Sequence, residues 1–142
     1  MSYQLIEQLP SVDDYRRLRE VVGWHNLSTK ATAASLAGSV LSVCVLLEKE
    51  TVAMGRVVGD GHFYFYLQDV IVHPAHRNRG IGKQITEHLV RRIKATAEPG
   101  AFFGLMAAAN VAALYEKFGF QPRTADMPGM SMWLTPSEQN VS

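Results

Sequence analysis

Between His73 and Lys83 the chain reads His-Pro-Ala-His-Arg-Asn-Arg-Gly-Ile-Gly-Lys. A β-type run ending at Val72 precedes this segment, and an amphipathic helix follows it. A chain that leaves a strand, turns on glycines and enters a helix aims several backbone N–H groups at one point. The helix dipole adds positive potential there, so an anion such as a phosphate is favoured. Arg77, Arg79 and Lys83 add formal charge around the same point. Spacing excludes two common phosphate binders. A Walker loop needs Gly-x4-Gly-Lys followed by Ser or Thr, but position 77 is Arg and Gln84 follows Lys83. A dinucleotide fingerprint needs a third glycine where Ile85 stands. What remains is Arg77-x-x-Gly80-x-Gly82, a pattern that also suits a plain loop with a solvated basic face.

A second segment narrows the reading. Ala107-Ala-Ala-Asn110-Val-Ala-Ala-Leu-Tyr115-Glu-Lys-Phe-Gly119-Phe120 lies further along the chain. Together the two segments resemble the GNAT superfamily of N-acetyltransferases, which bind acetyl-coenzyme A. Arg77-x-x-Gly80-x-Gly82 is similar to the superfamily's Gln/Arg-x-x-Gly-x-Gly/Ala pyrophosphate loop. Asn110 with Leu-Tyr-Glu-Lys-Phe-Gly-Phe is similar to its second motif, a short helix ending in Gly. The resemblance is close over residues 40–135 and loose before them.

The resemblance implies an assignment of parts. Arg77, Asn78, Arg79, Gly80, Ile81, Gly82 and Lys83 would hold the pyrophosphate, mainly through backbone amides. The pantetheine arm would lie in a V-shaped gap between two splayed parallel strands, here Val70-Ile71-Val72 and Leu105-Met106-Ala107. A backbone N–H near Ile71 would stabilise the oxyanion, which can be worth about 3 kcal/mol. Tyr115, sharing a helix face with Val111, Leu114 and Phe118, would protonate the leaving thiolate; a core aromatic is the other reading. Asn110 would bond the pantetheine, cap its helix, or both. Ala107, Ala108 and Ala109 would leave room for the arm or simply pack tightly.

The acceptor side is less defined. Tyr64, Tyr66 and Gln68 alternate on one face of their strand, with Phe65, Leu67 and Asp69 on the other. Asp69 is the carboxylate there, a base for the amine or a structural acceptor, and Gln68 could order a water. The connector Trp24-His25-Asn26 should approach the acceptor, with Tyr64 and Tyr66 as walls; Trp24 also reads as a core residue. His73 and His76 read as solvated turn residues and no metal site is expected. A small amine, an amino acid, an amino sugar and a peptide N-terminus stay open as acceptors.

These residues need a frame. Tyr3 to Gln8 reads as a strand, and Ser11 as the cap of a helix ending at Gly23. Ser28 or Thr29 opens a second helix running to Ala37. Val40 to Leu47, Thr51 to Val58 and His62 to Val72 read as successive strands with polar turns between them. Gly80 to Ala95 is a helix with Ile81, Ile85, Leu89 and Ile93 on one stripe. Ala101 to Ala107 is a strand parallel to the one ending at Val72, reached by a right-handed crossover. Asn110 to Gly119 is a short helix, and Met130 to Leu134 a last strand pairing with Phe120 to Arg123. Thr135 to Ser142 should fray. The expected fold is α/β of GNAT type: a mixed, mostly antiparallel sheet, a central splayed parallel pair and helices on both faces.

With 142 residues, 47% hydrophobic and 19% charged, the chain suits one acetyltransferase domain, residues 1–142. A net charge of +1 gives no bulk case for nucleic acid or an anionic membrane. Cys44, the single cysteine, reads as an inert core residue. No leader or membrane span is recognisable, so a cytoplasmic enzyme is the default. A homodimer is open. The expected function is N-acetyl transfer from acetyl-coenzyme A to a primary amine by direct attack in a ternary complex. The alternatives are a non-catalytic acyl-coenzyme A sensor and a nucleotide-binding module.

Overall fold

A computed structural model describes residues 2–134. The element order is β1 (Tyr3–Glu7), α1 (Val12–Val21), α2 (Thr29–Ala37), β2 (Leu41–Leu47), β3 (Glu50–Gly59), β4 (Tyr64–Val72), a 3-10 turn (Pro74–His76), α3 (Ile81–Thr96), β5 (Phe102–Leu105) and α4 (Ala112–Glu116). The five strands lie side by side in chain order. The β1–β2, β2–β3 and β3–β4 pairs are antiparallel, and β4–β5 is parallel.

Local chemistry accounts for most boundaries. Ser11 and Ser28 cap α1 and α2, accepting from the N–H groups of Asp14 at 3.0 Å and Ala31 at 3.1 Å. The β2–β3 hairpin turns on Glu48 and Lys49, both at positive φ. β4 starts at Tyr64 rather than His62, because Asp60 Oδ1 accepts from the amides of His62, Phe63 and Tyr64 and holds them in the turn. The α3 stripe Ile81, Ile85, Leu89 and Ile93 is buried against Val43, Val57, Phe65 and Leu67. On the opposite face Tyr15 and Leu18 of α1 and Leu36 of α2 pack on Met54 and Ile71. Helices therefore cover both faces of the sheet.

Two features of the middle strands shape the site. First, Met54 pairs with Ile71 and Arg56 with Gln68, so Gly55 alone faces Asp69 and Val70 in a β-bulge. Asp69 takes φ 56°, in the left-handed region. The bulge resets the alternation: Phe65 and Leu67 face α3, and so do Val70 and Val72, while Asp69 turns to the α1–α2 face with Ile71. Strict alternation, which groups Asp69 with Phe65 and Leu67, is thus corrected by one extra residue. Second, the β4–β5 ladder runs from Tyr64–Phe102 to Leu67–Leu105 and stops, while β4 continues to Val72. Among the described residues the β5-facing side of β4 has no strand partner beyond Leu67, and the two strands splay.

The expected strands at Phe120–Arg123 and Met130–Leu134 do not form. Pro122 and Pro128 cannot donate to a ladder, and Met127 N–H to Thr124 O with Arg123 Nε to Met127 O makes a local turn instead. Trp133 then packs edge-on against His25, ring centroids 5.0 Å apart, which draws the chain toward the α1–α2 connector. The expectation for Thr135–Ser142 falls outside the described residues. Among the described residues no helix is long and apolar enough to cross a membrane.

Candidate active site

The anion loop forms as a strand-to-helix junction. His73 N–H donates to Val52 O at 2.8 Å, closing the end of β4. Its Nδ1 accepts from Ala75 N–H at 3.1 Å and starts the 3-10 turn, so His73 is a turn residue. His76 Nδ1 lies 2.8 Å from Tyr3 Oη, which ties the loop to β1. Arg77, Asn78, Arg79 and Gly80 are exposed. Asn78 and Gly80 take φ of 64° and 76°, reversals that Asn and Gly make at low cost. No side chain caps α3 at Gly80, so the first-turn amides of Ile81, Gly82 and Lys83 lack an acceptor from that source, at the positive end of a 16-residue helix. A Cβ on Gly82 would meet Val72 Cγ2 at an ordinary 3.7 Å. Packing alone therefore does not demand glycine there, and its bareness opens the helix end to a close ligand. The residues present fit a diphosphate.

The splayed pair leads into a groove of about 930 Å³. Tyr66 and Gln68 of β4 line it, with Phe102 to Leu105, Met106, Ala107 and Tyr115. Tyr115 is half-buried in α4 with Val111, Leu114 and Phe118, so the anticipated face exists. Its ring meets Phe120 edge-on at 6.3 Å. Burial pushes its phenol up from the ordinary value, and among the described residues its hydroxyl has no hydrogen-bond partner within 3.5 Å. Asn110 does not cap α4: Val111 is the cap residue and no side chain fills the role. Asn110 instead takes φ 65° one residue earlier, a left-handed turn position that Asn tolerates. Ala107, Ala108 and Ala109 are exposed rather than tightly packed.

Asp69 is fully engaged. Oδ1 accepts from Arg19 Nη1 at 2.7 Å, and Oδ2 from Tyr15 Oη at 2.7 Å and Arg56 Nε at 2.8 Å. Arg56 in turn donates to Ser35 O, Ser35 Oγ and Ser39 Oγ at 3.0 to 3.1 Å. Burial, and then its bond to Asp69, push the Tyr15 phenol up. This network joins α1, α2, β3 and β4 under the bulge. Sequence reasoning missed it, although a lone Arg in an apolar strand is the available signal: a buried guanidinium needs a carboxylate.

The expected acceptor residues separate into two groups. Tyr64 and Tyr66 both meet Phe102, with centroids 6.1 and 5.6 Å apart, and Gln68 continues toward the splay. Trp24 is 37% exposed at the end of α1 beneath Arg19 and does not line the groove. Phe102 was not anticipated; nothing in a short apolar run marks which ring faces a groove. Among the described residues no cluster of three His, Cys, Asp or Glu could hold a metal ion.

Comparison with known proteins gives this geometry a family. Residues 40–122 match the model of the acetyltransferase (GNAT) domain. An uncharacterized N-acetyltransferase, ycf52, of Pyropia yezoensis is 26% identical over 121 residues, covering 82% of this chain and 68% of the relative. A Staphylococcus aureus structure described as a "Probable Acetyltransferase" superposes with a TM-score of 0.86 at 28% identity, covering 94% of this chain and 100% of that one. A GNAT-family acetyltransferase of Streptococcus pneumoniae shares the fold, with a TM-score of 0.77 at 22% identity over 95% of this chain and 99% of that one. With its match running from the last residues before β2 through α4, and so across the anion loop, the splay and Tyr115, the chain belongs to the GNAT acetyltransferases.

Proposed function

We propose that the chain, acting as one domain, transfers an acetyl group from acetyl-coenzyme A to a primary amine by direct attack within a ternary complex. One observation carries the reading: α3 starts without a side-chain cap at the anion loop, β4 runs on past the end of its β5 ladder, and Tyr115 lines the groove beside that strand pair. The bound thioester supplies an activated acyl carbon. The chain's own residues do the rest. The amides of Ile81, Gly82 and Lys83 hold the diphosphate, with Arg77, Asn78 and Arg79 around them. The free edge of Val70, Ile71 and Val72 pairs with the peptide-like arm as an added strand would. Backbone donors at the bulge face the charge that develops on the carbonyl oxygen. Tyr115 hands its proton to the departing sulfur.

Asp69 is better assigned to holding the bulge than to taking the amine's proton, because three donors already occupy its oxygens. Gln68, lining the groove, orders a water that removes that proton. Calorimetry with acetyl-coenzyme A, followed by thiol release over a panel of primary amines, tests the proposal. Binding with turnover on at least one amine is expected. Binding without turnover on any amine would assign the chain to acyl-coenzyme A sensing, and no binding would remove the proposal.

A further inference from the structure

Three exposed rings, with the half-buried Phe102 among them, form a row beside the groove. Phe63, Tyr64 and Tyr66 are 56%, 48% and 39% exposed. Phe63 and Tyr64 are 4.7 Å apart by centroid, and Phe102 joins the row through Tyr64 and Tyr66. A contiguous aromatic surface left in water marks a recognition site more often than a scattered apolar residue does.

The row is also built rather than incidental. A Cβ on Gly104 would stand 2.6 Å from Phe102 Cε2 and 3.4 Å from Tyr66 Cε1. The missing side chain is what lets these two rings lie side by side on the sheet. Charge is scarce here. Of the groove's cations, Lys94 donates to Phe118 O at 3.4 Å and Arg123 to Met127 O at 2.8 Å. Glu116, on α4, is the groove's carboxylate among the described residues, and Asp69 is spent on its own network. A polyamine would find no set of counter-charges, and a sugar no row of polar partners.

We infer that the acceptor is a primary amine carried on a flat aryl body, which stacks on Tyr66 and Phe102 with its nitrogen directed toward Gln68. This rests on the acetyl-transfer reading above. Offset and edge-to-face contacts with two rings select aryl over alkyl bodies of similar reach.

Thiol release with saturating acetyl-coenzyme A should be compared for 2-phenylethylamine, n-butylamine, spermidine and glucosamine. The aryl amine is expected to lead n-butylamine in kcat/KM by roughly tenfold or more, the scale a small change in apolar contact gives. Tyr66→Ala and, as the gentler change, Phe102→Leu should each collapse that ratio through KM for the aryl amine. Calorimetric affinity for acetyl-coenzyme A, unchanged in both, shows that they fold. Equal kcat/KM for the aryl and alkyl amines, or a ratio that neither variant moves, overturns the inference while the transfer reading stands. Absence of both binding and turnover removes the two together. Sedimentation velocity supplies the remaining arm: a dimer that Phe63→Ser dissociates, with no aryl preference, gives the patch to a second copy and overturns the inference.

Discussion

Tyr115 and Asp69 show how much a residue's role depends on what already occupies its polar atoms. Among the described residues the Tyr115 hydroxyl has no hydrogen-bond partner, and burial pushes its phenol up from the ordinary value. Tyr115→Phe should lower kcat by about 10²-fold or more with little change in acetyl-coenzyme A affinity, read by steady-state kinetics and calorimetry. The acid works in its protonated form, and its activity is lost as pH rises through its pKa. Burial raises that pKa, so kcat should show no decline due to Tyr115 below about pH 10, the ordinary phenol value. A decline between pH 7 and 9 that the Phe variant abolishes would contradict this. Asp69 is the reverse case. Its side chain is 8% exposed, and those of Arg56 and Arg19 are 10% and 15%. Asp69→Asn should leave two guanidinium groups without their counter-charge and cost about 3–5 kcal/mol in urea unfolding. A variant of native stability with lost kcat would return Asp69 to the base role. Both residues were visible in the sequence as chemically capable. The local bulge is what turns Asp69 to the α1–α2 face, and neither residue type nor spacing announces a left-handed aspartate.

The elements themselves were largely legible. The stripe of α3 follows from a four-residue repeat, the Ser11 cap from the acidic first turn that follows it, and the cap of α2 is narrowed by the sequence to Ser28 or Thr29, of which the structure uses Ser28. The C-terminal strands were not, because alternation says which residues can share a face and not whether a neighbouring strand is there to receive them. Met130 and Trp133 stay 86% and 78% exposed. Across the bulge, Gly55 is the position on which two elements depend. A Cβ there would lie 2.5 Å from Ile85 Cγ2 and 3.3 Å from Leu89 Cδ1. Gly55→Ala should therefore cost about 1–3 kcal/mol by overpacking. In combination with Ile85→Ala the cost should be less than the sum of the two single changes, because the second removes the clashing atom. Equilibrium unfolding of the three variants measures the coupling; strict additivity would mean that α3 approaches β3 less closely than described.

At the scale of the whole molecule, Cys44 reports on cohesion. It is fully buried in β2, its Sγ faces Gln8 O at 3.6 Å, and burial pushes its thiol up to about 11. Thiolate is the reactive form, so alkylation by iodoacetamide at neutral pH should await opening of the sheet, its rate rising with urea along the slope of global unfolding. Rapid labelling in native buffer would show that β1 detaches independently. The consecutive strand order has a consequence of its own for how the chain acquires its shape. β2, β3 and β4 are joined by tight turns, whereas β1 and β5 each reach the sheet only after a long excursion through helices. Short closures carry the smaller entropic penalty, so the central meander should gain amide protection first in pulse-labelled hydrogen exchange, with β5 among the last. The V between β4 and β5 would then be the final piece to appear during refolding, and the newborn protein would hold its rigid half before it could hold a ligand.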